Sequence, residues 1–103
     1  MNWYQNLYIG QTALRRKHEI IEKIQQEQNM LMVYLITIAP DERNQLEILT
    51  PTVFYQQARR QGYPMIVGIA LGMREAKALL VQMTEDVYRQ TGALNYRAYF
   101  LQE

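Results

Sequence analysis

Residues 30–39 read MLMVYLITIA, ten positions rich in β-branched and aromatic side chains and apolar on both alternating sets. A strand with one wet face alternates apolar with polar residues, so this run predicts a central strand covered on both sides. It is too short to cross a bilayer. A second doubly apolar run, PMIVGIA, occupies 64–70 and predicts another interior strand. Two such strands require layers above and below one sheet.

Outward from 30–39, PDERN at 40–44 predicts a turn, and QLEIL at 45–49 sets Leu46 and Ile48 against Gln45 and Glu47 as an antiparallel hairpin partner nearer an edge. Thr50 and Pro51 then supply a capping hydroxyl and a first-turn proline, predicting a short helix that packs Phe54 and Ala58 and ends at Gly62. Over 73–91, Ala76, Leu79, Leu80, Met83 and Val87 share one side of a helical wheel, and Gly92 stops the helix. Residues 93–101 alternate Leu94, Tyr96, Ala98 and Phe100 with Asn95, Arg97, Tyr99 and Leu101, which predicts an edge strand. At the other end, Leu7, Leu14 and Ile21 recur seven apart, widened by Ala13, Ile20 and Ile24, and predict an amphipathic helix over about 3–28.

The expected fold is therefore α/β (α+β), with element order α-β-β-α-β-α-β in a single domain, 1–103. Numbering the predicted strands along the chain, the four-stranded mixed sheet takes the order 2-1-3-4, with strand 1 antiparallel to the rest. The right-handed crossover rule places two helices on one face, and the N-terminal helix covers the other. The rival is a two-layer domain that covers its second face by dimerising.

Composition agrees with one globular domain: of 103 residues, 49% are hydrophobic and 20% charged, far from the disordered regime. The absence of cysteine excludes disulfides, thiolate metal sites and a cysteine nucleophile, and fits a reducing cytoplasm. MNWYQNLYIG has no basic and apolar halves of a signal peptide, so a soluble cytoplasmic protein away from membranes is expected. A net charge of +1 without a basic pole weighs against nucleic acid as a partner.

The segment IVGIALGMREA at 66–76 carries the main question of chemistry, because it runs from a strand through two glycines into a helix. It lacks the Lys-Ser/Thr pair of a P-loop and the spacing of a dinucleotide fingerprint. Two readings remain. In one, Gly68 admits a close helix and Gly72 makes a turn. In the other, the helix N-termini at Thr50 and at Gly72, Met73 and Arg74 emerge together and hold a phosphate or nucleotide.

Other constellations are weaker. His18 and Glu22 stand four apart on one helix face but lack a third metal ligand. Arg15, Arg16, Lys17 and His18 point in four directions once wound into a helix. Arg59 and Arg60 are explained by a helix C-terminus. Glu85 with Asp86, and Asp41 with Glu42, form no catalytic carboxylate pair, and the chain has no serine. No cofactor or metal is implied. The eight tyrosines and eight arginines suit an interface, best placed on Asn95, Arg97, Tyr99 and Leu101, where an edge strand could pair with another chain.

Taken together, LEI, YQQARRQ, PMIVGIALGMREAKALL and VYRQTG resemble small uncharacterised proteins of Firmicutes-type gut bacteria, over most of the chain from Tyr8 onward. That resemblance implies no known activity. The residues themselves predict a non-catalytic interaction module that self-associates, with a homodimer or another protein as partner. The alternative is a small-ligand domain for a phosphate or nucleotide. Single-stranded nucleic acid ranks third.

Overall fold

The computed structural model describes residues 1–40 and 43–101, so the expected Asp41–Glu42 turn lies outside the described residues. The chain runs β1 (Trp3–Ile9), a 3-10 turn (Ala13–Arg16), α1 (Lys17–Gln25), β2 (Val33–Ile38), β3 (Leu46–Leu49), α2 (Pro51–Gln61), β4 (Ile66–Leu71), α3 (Met73–Thr91) and α4 (Tyr96–Phe100). It forms a four-stranded mixed sheet of order β1-β4-β2-β3. β2 is antiparallel to both β3 and β4, while β1 lies parallel to β4.

This corrects the expected 2-1-3-4 order at one place. The position beside β4 belongs to the N-terminal residues and not to 93–101. Leu7, Leu14 and Ile21 do keep a seven-residue interval, but Leu7 sits in a strand and Ile21 in a helix. Around polar, exposed Gln5 and Asn6, residues 3–9 carry side chains for both faces: Trp3, Leu7 and Ile9 pack on one side of the sheet, Tyr4 and Tyr8 on the other. The N-terminal helix is correspondingly short and begins only at Lys17.

Residues 96–100 form α4, where helical spacing brings Tyr96, Tyr99 and Phe100 onto one core cluster. Asn95 caps it by accepting the Ala98 N–H at 3.1 Å. The alternation that suggested a strand was therefore also a helical pattern of i, i+3 and i+4. Over five residues the two periods overlap.

Helices cover both faces. Ile20, Ile24, Phe54 and Tyr55 pack with Val33, Leu35, Ile66 and Ile69 beneath α1 and α2. Ala76, Leu79, Met83 and Val87 of α3 pack with Ile36, Ile38, Val67 and Ala70 beneath α3 and α4. The expected pairing of the two later helices on one face is thus corrected: α2 shares its face with α1. The handedness rule governs crossovers between parallel strands, such as β3–α2–β4. Among the described residues no strand follows α3, so that helix is free to take the other face.

β4 is bulged. Ile36 pairs with Gly68 and Thr37 with Ile66, so Val67 is an extra residue on β4. A Cβ on Gly68 would meet Met83 Cε at 2.7 Å, Leu79 Cδ2 at 3.3 Å and the Tyr8 carbonyl oxygen at 3.4 Å. The glycine lets α3 lie close on the strand. Thr37, fully buried beneath the sheet's other face, has a hydroxyl with no hydrogen-bond partner among the described residues. No helix among the described residues is long and apolar enough to cross a membrane.

Candidate functional site

β1 and β4 are parallel neighbours, yet their connections leave the sheet on opposite faces. The chain after β1 enters the 3-10 turn and α1 on one face, and the chain after β4 enters α3 on the other. Connections that diverge in this way leave a crevice at the carboxyl ends of the strands, the usual ligand position in open α/β sheets. Here the crevice measures about 720 Å³. Ile9, Leu71 and Leu79 contribute apolar lining, and Gln11, Thr12, Arg74, Glu75 and Gln82 contribute polar groups.

Glu75 organises the crevice. Its Oε1 accepts the Leu71 N–H at 2.9 Å and the Ala13 N–H at 3.3 Å, while Oε2 accepts the Thr12 N–H at 2.9 Å. One carboxylate thus ties the end of β4 to the start of the 3-10 turn, from the first turn of α3. Burial pushes this carboxyl up, but the backbone hydrogen bonds from Leu71, Thr12 and Ala13 outweigh it and hold the group below the usual range. Gly10 makes room for it: a Cβ there would stand 2.0 Å from Glu75 Oε1.

The four residues expected to hold an anion do not form one site. Thr50 caps α2, its hydroxyl accepting the Val53 N–H at 3.4 Å. It borders a separate recess with residues 29–34. Gly72, at φ +87°, turns the chain into α3 and donates its N–H to the Met32 carbonyl at 2.7 Å. Met73 is exposed beside it, and Arg74 alone of the four lines the crevice. The two helix N-termini share one end of the sheet but belong to helices on opposite faces.

The expected interface residues are also rearranged, because they stand around a helix and not along one side of a strand. Arg97 donates from Nη2 to the Ala39 carbonyl at 3.2 Å, and its N–H reaches Asn44 Oδ1 at 2.9 Å. Asn95 Oδ1 accepts from Asn44 Nδ2 at 2.9 Å. Tyr99 and Leu101 pack against the α3-side core. Tyr8 donates to Asp86 Oδ2 at 2.6 Å and lies 2.8 Å from the Tyr99 hydroxyl. Burial first, and then the Asp86 hydrogen bond, push the Tyr8 phenol well above its ordinary range. Phe100 meets Tyr4, Tyr8 and Tyr99 edge-on. Much of the tyrosine surplus is therefore internal. On the opposite face, Tyr55 donates to the Gln28 carbonyl at 2.7 Å, and burial pushes it up to about 12.

His18 and Glu22 are both exposed, and no group of three potential metal ligands gathers among the described residues. Sequence reasoning missed the Glu75 staple, whose only local signal is a glutamate at the third position of a helix begun by glycine. No family model, curated protein or solved structure matches this chain.

Proposed function

We propose that this chain is a non-catalytic domain that binds a small organic molecule in the crevice between β1 and β4. The observation that carries the reading is the crevice's place, at the carboxyl ends of parallel neighbours whose connections diverge. Its volume suits a small ligand. Ile9, Leu71 and Leu79 offer an apolar bed, while Arg74, Gln11 and Gln82 offer polar groups for orientation.

Charge decides the class of ligand. The backbone donors of Leu71, Thr12 and Ala13 are already turned on Glu75, and the Glu75 carboxylate sets a negative charge beside the positive one of Arg74. An uncharged or zwitterionic molecule suits this balance better than a phosphate or a nucleotide polyphosphate. The Thr12 hydroxyl does lie against Glu75. However, a carboxylate held below its usual range by several donors is a poor general base, which supports binding over catalysis.

An amide-resolved NMR screen of neutral and zwitterionic fragments tests this. Ligands are expected to shift the amides of Gly10, Thr12 and Leu71, to bind at least several-fold more weakly to Arg74→Ala, and to lose binding to Gln11→Trp, which plugs the mouth. Hits that map elsewhere, or that bind the plugged variant as well as the parent, would refute it.

A further inference from the structure

The outward face of α3 is where a charged, solvated stripe belongs, since Ala76, Leu79, Met83 and Val87 already face the core. It carries instead Val81 and Tyr88, 58% and 60% exposed, in line with Glu85 and Gly92 at spacings of four, three and four. Leu94, 54% exposed, continues the patch just past the helix. Between Tyr88, Gly92 and Leu94 opens a cleft of about 750 Å³, also bordered by Glu85 and Arg89. Large apolar side chains collected on one stripe mark an interaction surface.

We infer that this stripe is an isologous interface, on which a second copy of the chain docks with its α3 antiparallel. The surface is complementary to itself. Val81 is a protruding apolar side chain, and the cleft at Gly92 and Leu94 lies three helical turns further along the same stripe. A twofold axis between residues 85 and 88 seats each Val81 in the other copy's cleft. The same operation sets Glu85 against the partner's Tyr88 and beside the partner's Arg89. Charge complementarity therefore accompanies the fit of shape. Arg89 can make this contact because its pairing with Asp86, at 3.3 Å, leaves the side chain 68% exposed and the guanidinium with further donors. Antiparallel α3 helices also oppose their dipoles favourably. Neither Val81 nor any residue lining the cleft lines the crevice between β1 and β4, so the dimer is tested apart from the ligand.

Sedimentation of the purified chain up to millimolar concentration tests the inference. A concentration-dependent dimer is expected, and Val81→Glu, an exposed change whose folding circular dichroism verifies, is expected to weaken it at least tenfold. The cysteine-free chain permits a second, geometric readout. Glu85→Cys, one of the two stripe positions flanking the axis, is expected to cross-link to itself on oxidation, while Val53→Cys on α2 serves as the exposed control. A monomer at every concentration, association unchanged by Val81→Glu, or equal cross-linking through Val53→Cys would each overturn it.

Discussion

Removing the Glu75 carboxylate should destabilise the fold through three backbone donors at once. Two of its bonds, from Leu71 and Ala13, are partly buried, and the third, from Thr12, is exposed. A partly buried hydrogen bond to a charged group contributes about 1–1.5 kcal/mol here and an exposed one about half a kcal/mol, so Glu75→Ala should cost about 3 kcal/mol. In a domain of this size that lowers Tm by roughly 12–20 °C. Gly10→Ala should cost nearly the same, because its Cβ would occupy the place of Oε1, 2.0 Å away, and swing the flexible side chain out. The two changes remove one interaction, so the double variant should lose little beyond either single one, giving a coupling of about 2–3 kcal/mol in a double-mutant cycle. The sign of the pH dependence follows from the depressed carboxyl. Its contribution is complete above the unfolded value of about 4.3 and fades as pH falls through the lower folded value, so parent and Glu75→Ala should converge in acid. Urea melts of the four proteins at neutral and acid pH measure all of this. Additive costs, or a parent-to-variant gap that persists in strong acid, would refute the staple.

Three further changes test the packing. Thr37→Val replaces a fully buried hydroxyl, without a partner among the described residues, with a methyl. It should leave stability unchanged or raise it by up to about 1 kcal/mol, and a clear loss in a urea melt would show that the hydroxyl has a partner. Gly68→Ala pushes a methyl against Met83 Cε at 2.7 Å and should cost about 1–2 kcal/mol, with most of that cost absent when Met83→Ala has already cleared the space. Tyr8→Phe removes the hydroxyl shared by Asp86 and Tyr99 and should cost about 1–2 kcal/mol at neutral pH. The folded phenol titrates above its unfolded value of about 10, so that advantage is complete below pH 10 and shrinks above it; alkaline melts of parent and variant should draw together.

The parts of the fold legible in the sequence were those where side-chain chemistry and period agree over many residues. Residues 30–39 and 64–70 are apolar on both sets and lie in or beside the two interior strands. Of the predicted stripe along α3, Ala76, Leu79, Met83 and Val87 are buried and Leu80 is half-buried. What misled were short segments that admit two readings at once. Residues 3–9 carry strand-favouring Trp3, Tyr4, Tyr8 and Ile9 but also the first member of a seven-residue series, and only their pairing with β4 decides between strand and helix. Residues 96–100 alternate like a strand, yet Asn95 and Asn44 cap their backbone as a helix.

The candidate site was illegible for a different reason. Strand, glycine and helix at 66–76 state that donors gather near Gly72, but they do not state what the donors hold. The answer depends on Gly10, 65 positions before Glu75 in the chain, and on β1 lying beside β4, which brings Thr12 and Ala13 within reach of one carboxylate. A glutamate in the first turn ordinarily reads as a favourable charge at a helix N-terminus. Here it acts as the anion for which the loop is shaped. A turn that resembles a phosphate cradle in sequence can therefore be filled from within, and the ligand must then be sought beside the carboxylate, against Arg74 and the apolar wall of the crevice. The two possibilities separate experimentally: a cradle waiting for phosphate would gain stability when Glu75→Ala is mixed with inorganic phosphate, whereas a cradle shaped for a carboxylate on its own helix would recover little.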